Sequence, residues 1–427
     1  MQRLRLISVA LLLLWTVPVC GQLPAAAVEG KDFALAPTDW PWWRGPDRNG
    51  IAHAQQQPPL QWSATENVVW QSLVPGRGHG SPTVVGDRVF LATADDKQEI
   101  QSVLCYQRQS GKLLWQTEVH RGGLEKNGHA KHSHASSTLA GDGSAVFVNF
   151  LNRGAIYTTA LSIEGKQLWQ TKIVDYVMHF GYGSSPALYG GLVIVTADHK
   201  GGGLVAALDR GTGKVVWSEQ RPRGPNHVSP IILPIAGRDQ LMLTGYSLLV
   251  SLDPASGKKL WECKGPTSEG VAAAVTDGKH IFVGGVHPTG HIAAIRGDGS
   301  GTVAWRVSTG LYVPSMLVDH GYLYAVTDTG IALCLNAETG EEAWKVRLHG
   351  GFSASLVLAG KNIFATNEAG QTTIFKANPE KFELIGKNQL GEGGLATPSI
   401  CGGRIYMRVA VQQQGRRQEI LYCLGTR

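Results

Sequence analysis

The 427-residue chain is poor in charge and in cysteine. Charged residues make up 17% of it and the formal net charge is only +6, so the composition favours neither a nucleic-acid partner nor an anionic membrane surface. Five cysteines follow Cys20, and an odd number leaves at least one thiol unpaired. Trp-Asp dipeptides, Cys-x-x-Cys-His and Gly-x-Ser-x-Gly are missing. Their absence argues against a WD40 propeller, a covalently attached haem and a serine nucleophile elbow.

Long apolar runs are also missing after the amino terminus. The chain begins with a basic pentapeptide, continues with an apolar run over 6–19 and reaches small residues at 25–27. This pattern predicts a secretory signal peptide over 1–27, and its apolar run is short for a membrane span. Because Val19 precedes Cys20 where lipidation needs a small residue, we expect no lipid anchor. The mature chain should therefore be exported, periplasmic or extracellular, without an integral membrane segment.

What the chain has in abundance is one repeated turn. Ala207–Trp217 reads as a strand end, a turn built on Asp209 and Gly213, and a second strand ending on tryptophan. Repetition of such a unit predicts a repeat architecture, with each indole packing against the neighbouring unit. The tryptophans expected in this structural role are Trp70, Trp115, Trp169, Trp217, Trp261, Trp305 and Trp344.

Eight repeat starts can be counted, each with small residues or proline before an apolar strand. They lie at 81–82, 136–137, 185–186, 229–230, 272–273, 314–315, 354–355 and 397–398. Continuous apolar strands are typical of sheets buried on both faces. Four strands per unit and eight units predict an all-β fold, an eight-bladed β-propeller over 62–427. The isolated strand near Trp70 should complete the three-stranded last unit, whereas the seventh unit lacks a tryptophan and should make a weaker contact.

The pattern Ala-x-Asp-x-x-Thr-Gly-x-x-x-Trp resembles the tryptophan-docking motif of pyrroloquinoline quinone (PQQ) repeat propellers. That family includes quinoprotein alcohol dehydrogenases and BamB-like scaffold proteins of the bacterial outer membrane. The match is complete at Ala207–Trp217, and the resemblance extends over roughly residues 62–427. It implies a propeller and leaves open whether a cofactor is bound.

Polar and aromatic residues recur immediately before the first strand of the repeats, where they should surround one mouth of the channel. Convergent polar groups at a cavity are a candidate binding site, although they could also merely satisfy strand ends and water. The candidates are Arg77, His79, His134, Tyr182, His227, Glu269 and Tyr312. His129, His132 and His134 are weak metal candidates, because imidazoles suit zinc or copper but no helix fixes their spacing. A solvated loop is the preferred interpretation, and no metal is expected.

The tryptophan-rich extension over 28–61 contains Trp40, Trp42 and Trp43. It resembles the W-P-x-x-R-G-P leader that often precedes secreted PQQ-repeat propellers. These indoles could cover one end of the propeller or stack on a saccharide.

Two functions remain open. Alcohol dehydrogenases of the resembling family carry adjacent cysteines beneath the quinone and a calcium site of Glu, Asn and Asp; this chain has no adjacent cysteines. The leading hypothesis is therefore an exported, non-catalytic binding or assembly scaffold, BamB-like and monomeric, with a protein or saccharide partner and no cofactor. The alternative is a small PQQ- or metal-dependent oxidoreductase holding PQQ and Ca²⁺ at the mouth.

Overall fold

The computed structural model describes residues 33–265 and 267–426. These residues form eight four-stranded antiparallel sheets, an eight-bladed β-propeller as the repeats predict. Across the described ranges there is no helix that could cross a membrane. The predicted signal peptide and Cys20 lie outside the described residues.

The strands follow one another blade by blade, apart from the first. The amino-terminal strand is β1 (Val68–Val74). Blades 1 to 4 contain β2 (Thr83–Val85), β3 (Arg88–Asp95), β4 (Ile100–Gln107), β5 (Leu113–Arg121); β6 (Ala140–Gly141), β7 (Ala145–Asn152), β8 (Ala155–Ser162), β9 (Gln167–Asp175); β10 (Ala187–Tyr189), β11 (Leu192–Thr196), β12 (Gly203–Asp209), β13 (Val215–Arg221); and β14 (Ile231–Ile235), β15 (Arg238–Gly245), β16 (Leu248–Leu252), β17 (Lys259–Lys264). Blades 5 to 8 contain β18 (Val275–Thr276), β19 (His280–Gly285), β20 (His291–Arg296), β21 (Val303–Val307); β22 (Leu317–Asp319), β23 (Tyr322–Val326), β24 (Ile331–Asn336), β25 (Glu342–Arg347); β26 (Val357–Ala359), β27 (Asn362–Thr366), β28 (Gln371–Lys376), β29 (Leu384–Gln389); and β30 (Ser399–Cys401), β31 (Arg404–Gln413), β32 (Arg416–Leu424).

Burial explains the sequence pattern of each blade. All five residues of β11 are buried, because blades cover both of its faces, whereas β13 in the same sheet is largely exposed. Strands covered on both sides need apolar residues at every position, so they lose the alternation of a half-exposed strand.

The ring is closed by its two ends. Strand β1 pairs antiparallel with β32, placing Trp70 opposite Cys423 and Leu73 opposite Ile420. The last blade therefore has the order β1-β32-β31-β30. The predicted closure by the amino-terminal strand is confirmed.

The repeated tryptophans share one register position. Trp115 lies opposite Cys105, which lies opposite Phe90, and the rings of Trp115 and Phe90 are 5.9 Å apart. Most of these indoles donate to the backbone of the next blade, as Trp169 does to the carbonyl of Arg210 at 3.0 Å. Trp261 instead donates to Gln240 of its own blade at 2.9 Å, and the buried Trp217 Nε1 has no partner among the described residues.

The seventh blade fills this position from elsewhere in the chain. Its fourth strand places Gly386 opposite Ile374, where the other blades have tryptophan. Trp62, from the connector before β1, stacks on Phe364 with ring centroids 6.3 Å apart and an interplanar angle of 15°. Trp62 is 3% exposed, and its backbone N–H donates to Asn388 Oδ1 at 3.0 Å. The tryptophan position that the seventh repeat lacks is therefore filled by an indole from the connector before β1.

The amino-terminal segment 33–56 lies across the end of the channel where the first strands finish. Trp40 exchanges two backbone hydrogen bonds with Val84 of blade 1. On the other side of the ring, the buried Arg44 guanidinium donates to the carbonyl of Leu356 at 3.1 Å and to that of Met316. Arg48 donates to the carbonyl of Leu188 in blade 3 at 2.6 Å. We call this segment the plug.

Candidate functional site

Three of the predicted mouth residues meet in one cluster. Tyr312 Oη donates to Glu269 Oε1 at 2.9 Å, and His227 Nε2 lies 3.4 Å from the same oxygen. The His227–Glu269 separation is an ion-pair distance rather than a hydrogen bond, since no hydrogen-bonding geometry accompanies it. The three side chains come from the connections that enter blades 4, 5 and 6, so neighbouring blades contribute one member each.

Buried polar groups hold this cluster in place. His227 N–H donates to the carbonyl of Gly270 at 3.0 Å, and Gly270 N–H donates to Asn226 Oδ1 at 2.9 Å. Asn226 in turn donates to Asp198, which also accepts two bonds of 3.2 Å from Arg221. Because Asp198 and Arg221 are both almost fully buried, breaking their pair would leave an uncompensated charge. The connections bearing His227 and Glu269 are therefore fixed to each other.

Tyr312 is anchored through its backbone. Asp328 accepts from the N–H groups of Tyr312 at 2.8 Å and Val313 at 3.0 Å. In the sequence Asp328 reads as an ordinary turn residue, and nothing in its neighbours indicates this capping contact across the blade.

The electrostatics of the cluster favour an ionised Glu269. Burial alone would raise the pKa of Glu269, but the contacts with His227 and Tyr312 outweigh it and hold that pKa below its ordinary value. Burial, then the Glu269 carboxylate, raise the pKa of Tyr312, which therefore stays a hydrogen-bond donor.

Two other predicted residues are engaged elsewhere. Tyr182 is 7% exposed and donates to the carbonyl of Thr196 at 2.9 Å. The His134 ring lies between Asp96 Oδ1 and the carbonyl of Glu125, each at 2.8 Å. Neither side chain joins the Glu269 cluster.

A long connection reaches over the mouth. Residues 122–139 link β5 to β6, and from them Lys131 Nζ reaches Glu368 Oε1 of blade 7 at 2.7 Å. Glu368 also accepts from Ser353 at 2.6 Å. His129 N–H donates to the carbonyl of Phe180 at 2.9 Å, and their rings are 5.5 Å apart. We call 122–139 the mouth loop; Lys131 and Glu368 were not predicted as site residues, because they are far apart in sequence and unremarkable in their local patterns.

Arg77 and His79 lie on the other side of the mouth, in the connection into blade 1. Arg77 forms a backbone bridge with Ala94, and His79 N–H donates to the carbonyl of Ala135 in the mouth loop at 3.0 Å. Burial, reinforced by nearby arginines, lowers the pKa of His79 to about 3. His79 is therefore a neutral imidazole at physiological pH.

Each of the three mouth carboxylates that could contribute to a cation site already has protein partners. Asp328 is committed to backbone amides, Glu368 to Lys131 and Ser353, and Glu269 to Tyr312. Over 33–265 and 267–426, no three His, Cys, Asp or Glu side chains are grouped so that they could share a metal ion. His129, His132 and His134 form no such group, because both ring nitrogens of His134 already have protein partners.

Trp40 and Trp42 have no free ring face for a sugar. They are 2% and 5% exposed, Trp42 donates to the carbonyl of Pro46 at 3.2 Å, and Arg48 lies 4.5 Å from its ring centre. Trp43 is partly buried beside them.

The fold and the repeated motif define a propeller of the PQQ-repeat class. A family model described as outer membrane protein assembly factor BamB matches residues 60–175, 99–283 and 288–381. These matches cover well over half of the chain, which belongs to this family.

Relatives of two kinds are found. The BamB outer membrane protein assembly factor of Legionella pneumophila (strain Paris) is 27% identical over 190 residues, covering 42% of this chain and 47% of that protein. A polyvinylalcohol dehydrogenase of Pseudomonas sp is 27% identical over 198 residues, covering 42% of this chain and 29% of that protein. The chain thus spans less than half the length of these two relatives. Among solved structures, a europium-containing methanol dehydrogenase superposes with a TM-score of 0.71 at 13% identity, covering 92% of this chain and 98% of that one, a likeness of fold.

Proposed function

We propose that the protein is an exported, non-catalytic scaffold that binds a protein partner during assembly of outer membrane proteins. The observation that carries this proposal is that the acidic side chains of the mouth accept hydrogen bonds from other parts of the protein. Glu269, Asp328 and Glu368 each accept hydrogen bonds from protein donors on a neighbouring connection or strand. Carboxylates engaged in this way hold loops in fixed positions, as a rigid binding surface requires. The assembly-factor relative supports the same function.

The partner surface in this proposal is the mouth face around Phe180. Phe180 is 40% exposed, and its ring lies between the rings of His129 at 5.5 Å and His227 at 6.1 Å. Aromatic side chains held between rigid neighbours are typical centres of protein interfaces. The chain would act as a monomer, with the predicted signal peptide directing its export.

Gene deletion and complementation test this function. Deletion in the organism that encodes the chain should lower the amount of folded β-barrel protein in its outer membrane. The wild type should restore that amount, and so should Glu269→Gln, because its amide oxygen can still accept the hydrogen bond from Tyr312. Phe180→Ser should restore it only in part. An unchanged outer membrane after deletion, or a folded Glu269→Gln variant that fails to complement, would contradict the scaffold.

The second candidate is an oxidoreductase, favoured by the Glu269 cluster. The Glu269 carboxylate, which lies beside an imidazole and a phenol, is the group that would accept the proton of an alcohol bound at the mouth. The Pseudomonas relative is named as a dehydrogenase of such a substrate, polyvinyl alcohol. Purified protein should be mixed with PQQ, Ca²⁺ and a primary alcohol, and dye reduction measured. Turnover that Glu269→Gln abolishes would replace the scaffold by the enzyme.

A further inference from the structure

A second polar cluster, separate from Glu269, lies where blades 8, 1 and 2 meet at the mouth. We call it the basic cluster, and it consists of Arg77 and His79 in the connection into blade 1, His132 in the mouth loop, and Arg408 and Arg417, which share Glu419 in blade 8.

Arg408 is the most deeply buried member, at 3% exposure. Its Nε donates to Glu419 at 2.5 Å and its Nη1 to the carbonyl of Ala92 at 2.6 Å. Its Nη2 is buried and has no hydrogen-bond partner among the residues that the structure describes. A buried guanidinium donor without an acceptor is unfavourable, since it has lost water and gained nothing.

Two more nitrogens of the cluster share this condition. Arg77 Nε and His132 Nε2 are buried and, within the described ranges, without a partner. One isolated case could be satisfied by a water molecule. Three unpartnered nitrogens from three different chain segments, with His132 in its Nε2–H tautomer, can instead share one acceptor.

The segments that carry these donors are packed together. A Cβ atom added at Gly78, between Arg77 and His79, would lie 2.5 Å from Arg408 Nη1 and 2.7 Å from Nη2. The Arg408 guanidinium therefore lies directly on the chain that bears Arg77. His132 lies on the mouth loop, whose Ala135 accepts from His79 N–H at 3.0 Å.

The charges of the region do not balance. Glu419, the acid bound to Arg408, also accepts from Arg417 at 3.0 Å, so one carboxylate serves two guanidinium groups. Arg77 adds a third cation, and the carboxylate of Asp96 nearby is occupied by His134 at 2.8 Å. An anion would therefore find an excess of positive charge in a poorly solvated place, where attraction is strong.

We propose that the basic cluster binds a tetrahedral oxyanion of the phosphate or sulfate class, held by Arg77, Arg408 and His132. Arginine N–H groups match the oxygens of such anions, and donors on three segments can surround a tetrahedral ion. Arg417, whose side chain is 44% exposed, marks the entry from solvent. This site does not depend on the scaffold function.

Calorimetric titration of the full chain with inorganic phosphate at pH 7.5 tests the site, with sodium chloride keeping the ionic strength constant. The wild type should bind one phosphate per chain, and sulfate should compete whereas acetate should not. Arg77→Gln should weaken binding about tenfold or more, because a charge-assisted hydrogen bond is lost. Arg416→Gln removes an exposed arginine from the same hairpin as Arg408 and should change the affinity less than twofold.

Arg408→Lys provides a second variant, since it keeps the charge and removes the Nη2 donor. It should weaken phosphate binding while circular dichroism shows an intact fold. Wild-type protein that binds no phosphate would overturn the proposal, as would equal weakening by Arg77→Gln and Arg416→Gln. Neither result would bear on the scaffold, which the Glu269→Gln and Phe180→Ser complementation tests separately.

Discussion

At the scale of single residues, one side chain can take over a role that the local repeat has lost. The seventh blade has Gly386 at the tryptophan position, and an indole from the connector occupies the space above Phe364. A Cβ atom added at Gly386 would lie 3.7 Å from the carbonyl oxygen of Leu60, an ordinary contact with the connector that carries Trp62. Taken alone, the sequence of the seventh repeat predicts an unfilled tryptophan position. It cannot indicate Trp62, because this residue lies more than 300 positions earlier in the chain.

Replacement of Trp62 should therefore be as costly as loss of a regular blade tryptophan. Trp62→Ala should lower the free energy of unfolding by about 3–5 kcal/mol, the usual cost of removing a large buried aromatic side chain. Urea denaturation followed by circular dichroism measures the change. Leu60→Ala, at a site 37% exposed on the same connector, should cost far less. Similar losses for both variants would show that Trp62 does not act as the seventh blade's indole.

His79 should make stability depend on pH. Burial lowers its folded-state pKa to about 3, whereas the unfolded chain should have a value near 6.5. Below pH 6.5 the unfolded state binds a proton that the folded state does not, so stability falls as pH decreases toward the folded pKa. At pH 5 the loss should be about 1–2 kcal/mol. His79→Gln should show a shallower decline of melting temperature between pH 7.5 and 5; an unchanged slope would contradict a buried neutral imidazole.

At the scale of elements, the turn between the third and fourth strands of a blade joins these strands and also contacts the tryptophan of the preceding blade. Asp209 accepts from Thr212 N–H at 2.8 Å and so closes the turn, while Gly213 adopts φ of 71°. A Cβ atom on Gly213 would lie 2.5 Å from the indole of Trp169 in the preceding blade. The glycine is needed both for its backbone angle and for the close approach of the indole.

These two requirements can be separated by two alanine substitutions. Gly321, in the turn between β22 and β23, has φ of 80° and no atom within 4 Å of an added Cβ. Gly321→Ala should cost about 1–2 kcal/mol for the left-handed backbone alone. Gly213→Ala should cost about 1–3 kcal/mol more, since the methyl group overlaps Trp169. Chemical denaturation compares the two variants, and equal losses would mean that the indole moves aside at little cost.

The strands and loops also differ in how far their contacts could be predicted from the sequence. The pairing of the strands could be predicted from the sequence, because every repeat begins with small residues in its first strand and continues with an apolar second strand. Of the residues predicted to line the mouth, His227, Glu269 and Tyr312 lie together, whereas Tyr182 donates to the carbonyl of Thr196 inside the protein. All four precede a first strand, and their directions depend on contacts between blades. Lys131 and Glu368 pair through a loop of 18 residues, which no short-range pattern encodes.

At the scale of the whole molecule, the chain secures the ring with its amino-terminal part. Strand β1 closes the last blade, and the plug makes hydrogen bonds to opposite sides of the channel end. Trp40 pairs with Val84 of blade 1, while Arg44 reaches the carbonyls of Met316 and Leu356 in blades 6 and 7. Blades that do not touch each other are thus tied through one segment.

Arg44 should be a principal link of this segment. Its burial lowers its pKa to about 9, still high enough for a full charge at neutral pH. Arg44→Ala would leave two buried carbonyls without their donor and remove a large side chain, so unfolding should become easier by about 3–5 kcal/mol. Hydrogen exchange should speed up at 316–319 and 356–359, which face the plug, before the outer strands respond. Arg416→Ala, at an exposed site, should change neither the free energy of unfolding nor the exchange rates. Faster exchange spread evenly over all blades would mean that Arg44 stabilises the whole ring rather than linking blades 6 and 7 to the plug.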